Sequence, residues 1–156
     1  MGQIVTQDEI VKIVRKGQKE GKTFVVTNGC FDILHIGHVR YLKETKKYAD
    51  YSIVLLNSDN SVRSIKGINR PINNENDRAE LLTCLNCVDY VVLFEQNSPA
   101  GLLEKIKPDI YTKGADYNLE TLPEREVVLK NNIQVKFIEF VEGKSTTNLI
   151  NKINGK

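Results

Sequence analysis

An apolar run that leads through a glycine turn into a histidine-bearing helix constrains the fold more than any other stretch. Residues 23–26 (Thr-Phe-Val-Val) are β-branched and apolar and indicate a buried strand. A turn at Gly29 follows, and a helix opens near His35. Open α/β sheets bind ligands at the carboxyl ends of their strands, and a helix start attracts anions through its free N–H groups and dipole. The pattern therefore predicts an α/β fold with an anion site after this strand.

The only two histidines of the chain lie at this helix start. His35 and His38 are three residues apart, so a helix places them on one face, and Gly37 keeps the space between them open. Two imidazoles at such a position indicate phosphate chemistry rather than two structural histidines. A catalytic zinc is the alternative, and Asp32 or Cys30 would have to supply its third protein ligand.

Length and composition are those of one globular domain. The 156 residues are 40% hydrophobic and 27% charged. A net charge of +2 is too small to attract nucleic acid or an anionic membrane. No membrane-span or signal-peptide pattern occurs, and three cysteines suit a reducing compartment, so we expect a cytoplasmic protein. We expect a single domain over 1–156, with an N-terminal packing helix in 1–22 and a catalytic core over 23–150.

Further strand patterns alternate with helical ones along the chain. The strands are expected at 51–56, 88–93, 108–112 and 133–138, and a helix at 121–130. Strand-helix-strand units of this length are parallel with a right-handed crossover. The expected fold is a Rossmann-like, doubly wound parallel sheet of about five strands. The polar stretch 60–74 is expected to be a loop over the ligand crevice.

Cationic residues after the strands are candidates for phosphate contacts. Lys66 and Arg70 lie in the polar stretch, and Arg78 lies at the start of the next helix. The segment 113–117 (Lys-Gly-Ala-Asp-Tyr) follows another strand, and its glycine permits close approach of the backbone to a ligand. Turn chemistry alone would also explain that glycine.

A run of hydroxyl side chains opens the last helix. Ser145, Thr146 and Thr147 follow Gly143 and Lys144. One hydroxyl is enough for an N-cap, so the run predicts a second anion-binding helix start. The two helix starts could hold different phosphates of one nucleotide.

Cys84 and Cys87 have the spacing of a redox or metal pair. They lie at the end of an apolar helix, and no second pair exists to complete a zinc site. We therefore expect both thiols to pack as small apolar groups.

The motifs resemble those of the cytidylyltransferase-like nucleotidyltransferases. The stretch 29–38 (Gly-Cys-Phe-Asp-Ile-Leu-His-Ile-Gly-His) carries this resemblance, in the form without proline after the aspartate. His-Ile-Gly-His also occurs in class I aminoacyl-tRNA synthetases, but those chains are much longer, and no Lys-Met-Ser-Lys-Ser-like segment occurs here. Other pieces resemble the adenylyltransferase domains that activate D-glycero-β-D-manno-heptose 1-phosphate, namely 57–59, 66–71, 77–80, 88–92, 113–117 and 141–147. Family members often have a glycine where Ala115 stands and a tyrosine where Lys144 stands.

The resemblance implies transfer of AMP from ATP to a sugar 1-phosphate, giving ADP-heptose and pyrophosphate. It implies catalytic roles for His35, His38, Lys66 and Arg78. It implies nucleotide contacts from Asn28, Gly29, Cys30, Phe31, Asp32, Gly37, Ser145, Thr146 and Thr147. It implies substrate contacts from Asp59, Arg70, Lys113, Gly114, Asp116 and Tyr117. Mg²⁺ held mainly by the substrate phosphates, a homodimer and a separate sugar kinase upstream are expected on the same ground.

Three other functions stay open at this point. Glycerol-3-phosphate cytidylyltransferases resemble the histidine motif and the Ser-Thr-Thr end, but typically carry an arginine where Phe140 aligns. A flavin adenylyltransferase shares similar motifs. A catalytically silent nucleotide-binding regulator is the non-enzyme alternative. The intact histidine pair, the polar stretch that carries Lys66 and the hydroxyl run at 145–147 disfavour it.

Overall fold

The computed structural model describes residues 1–139 and 143–155 and shows one parallel sheet with helices on both faces. The strands are β1 (Gln3–Ile4), β2 (Phe24–Gly29), β3 (Tyr51–Asn57), β4 (Tyr90–Phe94), β5 (Ile110–Gly114) and β6 (Gln134–Ile138). The helices are α1 (Gln7–Lys19), α2 (Ile36–Lys46), α3 (Asp59–Lys66), α4 (Glu75–Thr83), α5 (Ala100–Ile106), α6 (Arg125–Lys130) and α7 (Thr146–Ile153).

The strand order β1-β4-β3-β2-β5-β6 defines where a ligand can enter. All neighbouring strands are parallel. From β2 the chain proceeds to β3 and β4 on one side, and it returns to place β5 and β6 on the other. The loops after β2 and β5 therefore diverge, and the crevice between them is the usual binding position of an open α/β sheet.

Two apolar clusters cover the two faces of the sheet. On one face, Ile10 of α1 and Leu103 of α5 are buried with Phe24 and other strand residues. On the other face, Leu42 of α2 and Leu82 of α4 are buried with strand side chains of the centre. Burial on both faces explains why these strands are nearly continuous apolar runs. The predicted doubly wound, Rossmann-like α/β architecture is confirmed.

The structure corrects the expected number of strands, which is six rather than about five. The additional strand, β1, pairs Gln3 with Tyr90 at the edge of the sheet. It has only two residues, both exposed, so it has no apolar alternation that a sequence pattern could reveal.

The polar stretch 60–74 is not all loop, because helix α3 occupies Asp59–Lys66. Ser58 caps this helix by accepting a hydrogen bond from the Ser61 amide, and Val62 is buried. The helix expected over 121–130 begins only at Arg125. Phe140 and the first two residues of the resembling piece 141–147 lie outside the described residues.

No helix in residues 1–139 and 143–155 is long and apolar enough to cross a membrane. All three cysteines are free thiols. Cys87 is buried, which confirms its predicted packing role. The same prediction is wrong for Cys84, which is exposed just after α4, because a C-cap position ends the helix at the surface.

Candidate active site

A cavity of about 700 Å³ opens at the carboxyl ends of β2 and β5. It collects residues from the β2–α2 turn, the start of α2, the end of α3, the segment after β5 and the start of α7. Nearly all the sequence-predicted site residues line it: Asn28, Gly29, Cys30, Phe31, Asp32, His35, Gly37, His38, Lys66, Arg70, Lys113, Gly114, Asp116, Tyr117, Ser145, Thr146 and Thr147. Asp59 and Arg78 are not among the residues that line it.

The histidine pair forms one wall of the cavity. His35 is the N-cap of α2, and its Nδ1 accepts a hydrogen bond from the Gly37 amide at 3.1 Å. Because Nδ1 accepts, the proton of the neutral ring lies on Nε2, which is then a donor. The His38 ring stacks on the His35 ring with a centroid distance of 3.8 Å, and the Phe31 ring packs against His38. The two histidines share a face as predicted.

Gly37 is required for this close arrangement. A Cβ at position 37 would lie 2.9 Å from two atoms of the His35 ring and 3.2 Å from the Lys144 Cβ. Any larger residue would therefore push the ring away from its position. The two rings are in contact, so the predicted open space between the histidines is not found, and the glycine instead makes room for the His35 ring.

Both histidines are neutral at pH 7. Burial, reinforced by the neighbouring His35, lowers the pKa of His38 to about 4 although the Ile33 backbone acts in the opposite direction. Burial and the positive charge of Lys144 lower the pKa of His35 as well. In the described part of the chain, Nδ1 of His38 is the only buried side-chain polar atom without a hydrogen-bond partner.

Asp32 holds the β2–α2 turn against the segment that follows α3. Its buried carboxylate accepts hydrogen bonds from the amides of Ile72 (2.8 Å) and Asn73 (2.9 Å) and from Nε of Arg70 (2.6 Å). Burial by itself would raise the pKa of Asp32, but these hydrogen bonds hold it below the ordinary value. Both carboxylate oxygens are thus occupied.

The alternative of a catalytic zinc at the histidines lacks a third protein ligand among the described residues. Asp32, one of its two candidate third ligands, is bound to backbone amides and Arg70. Over residues 1–139 and 143–155 no group of three His, Cys, Asp or Glu side chains could hold a metal ion.

Arg78 lies beneath the cavity rather than in it. Its side chain is buried, and Nη1 donates to the carbonyl of Cys30, just after β2 (2.7 Å), and to that of Asn57, the last residue of β3 (2.8 Å). Nε donates to the Asn73 carbonyl at 3.0 Å, and Nη2 donates to Asp59 at 2.8 Å. These protein acceptors use four of the five N–H donors of the guanidinium. The structure therefore places Arg78, and with it Asp59, away from direct phosphate contact, which corrects the positions that the sequence suggested.

Four cationic side chains line the cavity, and they fall into two kinds. Arg70 is paired with Asp32, and Lys113 lies 3.5 Å from the buried Glu124. Lys66 and Lys144 have no carboxylate partner among the described residues. Within the described part of the chain, Lys66 and Lys144 are therefore the cavity cations that no carboxylate neutralises.

A polar cluster forms the floor of the cavity after β5. Oδ1 of Asn28 accepts hydrogen bonds from the Tyr111 hydroxyl (2.6 Å) and from Nζ of Lys113 (3.2 Å). Glu124 accepts one from Ser98 at 3.3 Å. Glu124 and Ser98 were missed by the sequence analysis, as were other lining residues: Tyr41, Asn57, Ile65, Asn97 and Pro123. Only Asn57, which ends a strand at the crevice, had a sequence signal that could have identified it.

The start of α7 completes the cavity. Ser145 is the N-cap, and its hydroxyl accepts a hydrogen bond from the Asn148 amide at 3.0 Å. The Thr146 hydroxyl donates to the Ile33 carbonyl at 3.3 Å, which ties α7 to the segment that leads into α2. Thr147 is exposed and lines the cavity. The two helix starts therefore meet at one cavity, as the sequence predicted.

Comparison with known proteins agrees with this geometry. The sequence profile of the family described as cytidylyltransferase-like matches residues 26–152. Bifunctional protein HldE of Campylobacter fetus subsp. fetus is 50% identical over 152 residues, which are 97% of this chain and 31% of that protein. Bifunctional protein HldE of Aliarcobacter butzleri is 47% identical over 150 residues, which are 96% of this chain and again 31% of the relative. The chain thus spans under a third of the length of these relatives.

A solved structure shows the same fold. The lipopolysaccharide core biosynthesis protein of Thermoplasma volcanium GSS1 is 35% identical and superposes with a TM-score of 0.64. The superposition covers 80% of this chain and 100% of that one. Since the family profile also spans most of the sequence, the chain belongs to the cytidylyltransferase-like family of nucleotidyltransferases.

Proposed function

We propose that this chain transfers AMP from ATP to D-glycero-β-D-manno-heptose 1-phosphate, giving ADP-heptose and pyrophosphate. The observation that carries the proposal is the stacked pair of neutral histidines at the start of α2, on the wall of a cavity that Lys66 and Lys144 also line. The high identity to the HldE proteins supports a shared activity for this part of the chain. A nucleotide-activated sugar also fits lipopolysaccharide core biosynthesis, for which the solved relative is named.

The reaction is an in-line displacement at phosphorus. An oxygen of the sugar phosphate forms a new bond to the α-phosphorus of ATP. The bond from that phosphorus to the bridging oxygen breaks, and pyrophosphate leaves with the electron pair. The nucleophile is already an anion, so the reaction needs no general base. Catalysis then consists of positioning and of stabilising the charge that develops on the phosphate oxygens.

The histidine pair is assigned to these developing charges. Nε2–H of His35 is available as a donor because Nδ1 accepts the Gly37 amide. Neutral rings donate hydrogen bonds without the desolvation cost of a buried cation. Lys66, which lines the cavity and has no carboxylate partner among the described residues, adds a positive charge.

Residues of the two helix starts are assigned to the nucleotide. Asn28, Gly29, Cys30, Phe31 and Gly37 would contact it from the β2–α2 turn, while Ser145, Thr146 and Thr147 would hold its outer phosphates. Asp32, Asp59 and Arg78 act as positioning residues in this proposal. Their support is the set of hydrogen bonds that joins the ends of β2 and β3 to the segment after α3.

Mg²⁺ would accompany ATP and be held mainly by its phosphates. The protein groups suit this arrangement, since Asp32 and Glu124 are engaged by Arg70 and Lys113, and Asp116 is the exposed carboxylate of the cavity. Protein sites for Mg²⁺ commonly use one or two carboxylates together with substrate phosphates. When bound, the ion supplies neutralisation of the leaving pyrophosphate.

The sugar is assigned to the segment after β5, where Lys113, Gly114, Asp116 and Tyr117 line the cavity. Carboxylate oxygens can accept the several hydroxyls of a heptose. Asp116→Asn should therefore raise KM for the sugar phosphate about tenfold and leave KM for ATP nearly unchanged. Glu120→Gln, at an exposed position five residues before α6 begins and outside the cavity lining, is the matched control. A larger change in KM for ATP than for the sugar phosphate would remove Asp116 from the sugar subsite.

The whole proposal is tested by pyrophosphate release over a matrix of nucleoside triphosphates and acceptors. The acceptors are heptose 1-phosphate, glycerol 3-phosphate and flavin mononucleotide, each with ATP and with CTP. We expect the highest kcat/KM for ATP with heptose 1-phosphate, because buried polar groups left unpaired by a smaller acceptor cost several powers of ten. A higher value for CTP with glycerol 3-phosphate would refute the substrate assignment. No release with any pair would favour the regulatory alternative.

The reaction requires a phosphorylated sugar, so a sugar kinase would act upstream. We place both steps in the cytoplasm, where ATP is available. A homodimer is a further expectation from the family resemblance, and light scattering of the purified chain tests it.

A further inference from the structure

We propose that the ammonium group of Lys144 contacts the pyrophosphate end of ATP from the α7 side of the cavity. This inference rests on the proposed function and deepens it. It assigns a phosphate contact to a residue that the proposed function leaves without a role.

The position of Lys144 in the fold supports this contact. Lys144 directly precedes Ser145, the N-cap of α7, and it lines the same cavity as the histidine pair. Its Cβ lies so close to the first turn of α2 that a Cβ on Gly37 would come within 3.2 Å of it. The lysine stem therefore lies between the two helix starts that face the cavity.

The charge of Lys144 is available to a ligand. Among the described residues it has no carboxylate partner, whereas Arg70 and Lys113 in the same cavity do. Its side chain is exposed, so the ammonium stays hydrated in the free protein and can move towards an anion. The effect of Lys144 on the pKa of His35 shows that its charge acts at the histidine wall.

The chemistry of the leaving group explains what this cation would do. Pyrophosphate gains negative charge as the bond to the α-phosphorus breaks, and a nearby ammonium stabilises that charge. The backbone N–H groups at the start of α7 face the same region but carry only partial charges. Lys144 would therefore strengthen binding of ATP and of pyrophosphate, while the sugar phosphate would not be affected.

The test is direct titration of pyrophosphate with Mg²⁺ into the purified chain, followed by calorimetry. Lys144→Met should weaken pyrophosphate binding about 10- to 100-fold, the range for losing one charged hydrogen bond. Lys144→Arg keeps the charge and should bind within about threefold of the wild type. Lys152→Met removes an exposed lysine from the other end of α7 and should bind as the wild type does. Because position 144 is exposed, none of these variants removes a buried contact.

The outcomes separate this inference from the proposed function. Equal binding by Lys144→Met and the wild type would overturn the role of Lys144, while pyrophosphate release from ATP and heptose 1-phosphate would continue. Absence of release by the wild type with every substrate pair would overturn the proposed function and the inference together. Weakened pyrophosphate binding in Lys144→Met, restored in Lys144→Arg, would support the inference whichever sugar phosphate is the acceptor.

Discussion

His35 and His38 control each other's charge. Their rings stack at 3.8 Å, so a proton on one ring opposes a proton on the other. Burial acts in the same direction and keeps the pKa of His38 near 4. Both rings therefore remain neutral over the pH range in which ATP carries its full charge, and Nε2–H of His35 remains a donor. Such preorganised donors are most effective when negative charge develops in the transition state.

Removal of either imidazole should reduce turnover without unfolding the protein. We expect His35→Ala and His38→Ala to lower kcat about 10²–10³-fold, the range for loss of one such donor. Steady-state pyrophosphate release measures the effect, and circular dichroism provides the control for folding. Turnover within about threefold of the wild type in both variants would exclude the histidines from the mechanism.

The low pKa of His38 also predicts how stability changes with pH. The pKa is about 4 in the folded chain against an ordinary value of 6.5, so the unfolded chain binds more protons between these values. The free energy of unfolding should therefore fall as the pH falls from about 6.5 towards 4, and His38→Asn should lose less over this interval.

Urea denaturation of both proteins at pH 7.5 and pH 5 measures this difference. Carboxylates common to both proteins cancel in the comparison. An equal loss of stability in the wild type and in His38→Asn would show that the His38 ring is not held neutral by its surroundings.

At the scale of elements, one buried guanidinium joins the parts that form the site. Arg78 projects from α4 and donates to the carbonyls of Cys30, just after β2, and of Asn57, at the end of β3. Asp32 makes a parallel connection from the β2–α2 turn to the amides of Ile72 and Asn73. The histidine helix is thereby held at a fixed position relative to the end of α3, which carries Lys66.

Arg78→Met should destabilise the whole fold. The change leaves the Asp59 carboxylate and several backbone carbonyls without their donor, and loss of one partner of a buried ion pair costs about 3–5 kcal/mol. Urea denaturation measures the loss, and Arg63→Met at an exposed position is the control, with an expected change within about 0.5 kcal/mol. If Arg78→Met instead lost turnover at unchanged stability, Arg78 would be a catalytic cation as the resemblance first implied.

At the scale of the whole molecule, the cavity depends on segments that are distant in sequence. Its walls come from the loops after β2 and β5, the end of α3 and the start of α7. An unfolded chain does not bring these segments together, so a ligand of the cavity binds only the folded state. Binding must then raise the free energy of unfolding by mass action.

ATP with Mg²⁺ should therefore raise the melting temperature. At about 100 times its Kd the nucleotide adds about 2.7 kcal/mol, which corresponds to roughly 5–10 °C for a chain of this size. CTP at the same concentration should give a smaller shift if adenine is the preferred base. Differential scanning fluorimetry makes this comparison, and a larger shift with CTP would contradict the choice of ATP.

The amino-acid sequence by itself determined the fold class and most of the site. Apolar periodicity and turn chemistry are local, so the buried strands, the glycine turn, the shared helix face of His35 and His38 and the hydroxyl run at Ser145 could be identified without coordinates. The same local signals failed for the short edge strand β1 and for α3, since the first has no buried side chain and the second is mostly polar.

Only the tertiary structure decided which charged groups face the ligand. Arg78 and Lys66 look equivalent in the sequence as cations that follow a strand, yet Arg78 is buried against a carbonyl 48 residues away and Lys66 lines the cavity. Glu124, at the N-cap of α6, lies on the floor of the cavity near Lys113. No local sequence pattern predicts this contact between Glu124 and Lys113. Partners of this kind are far apart along the chain and meet only when the strands and helices pack together, so their pairing depends on the whole fold.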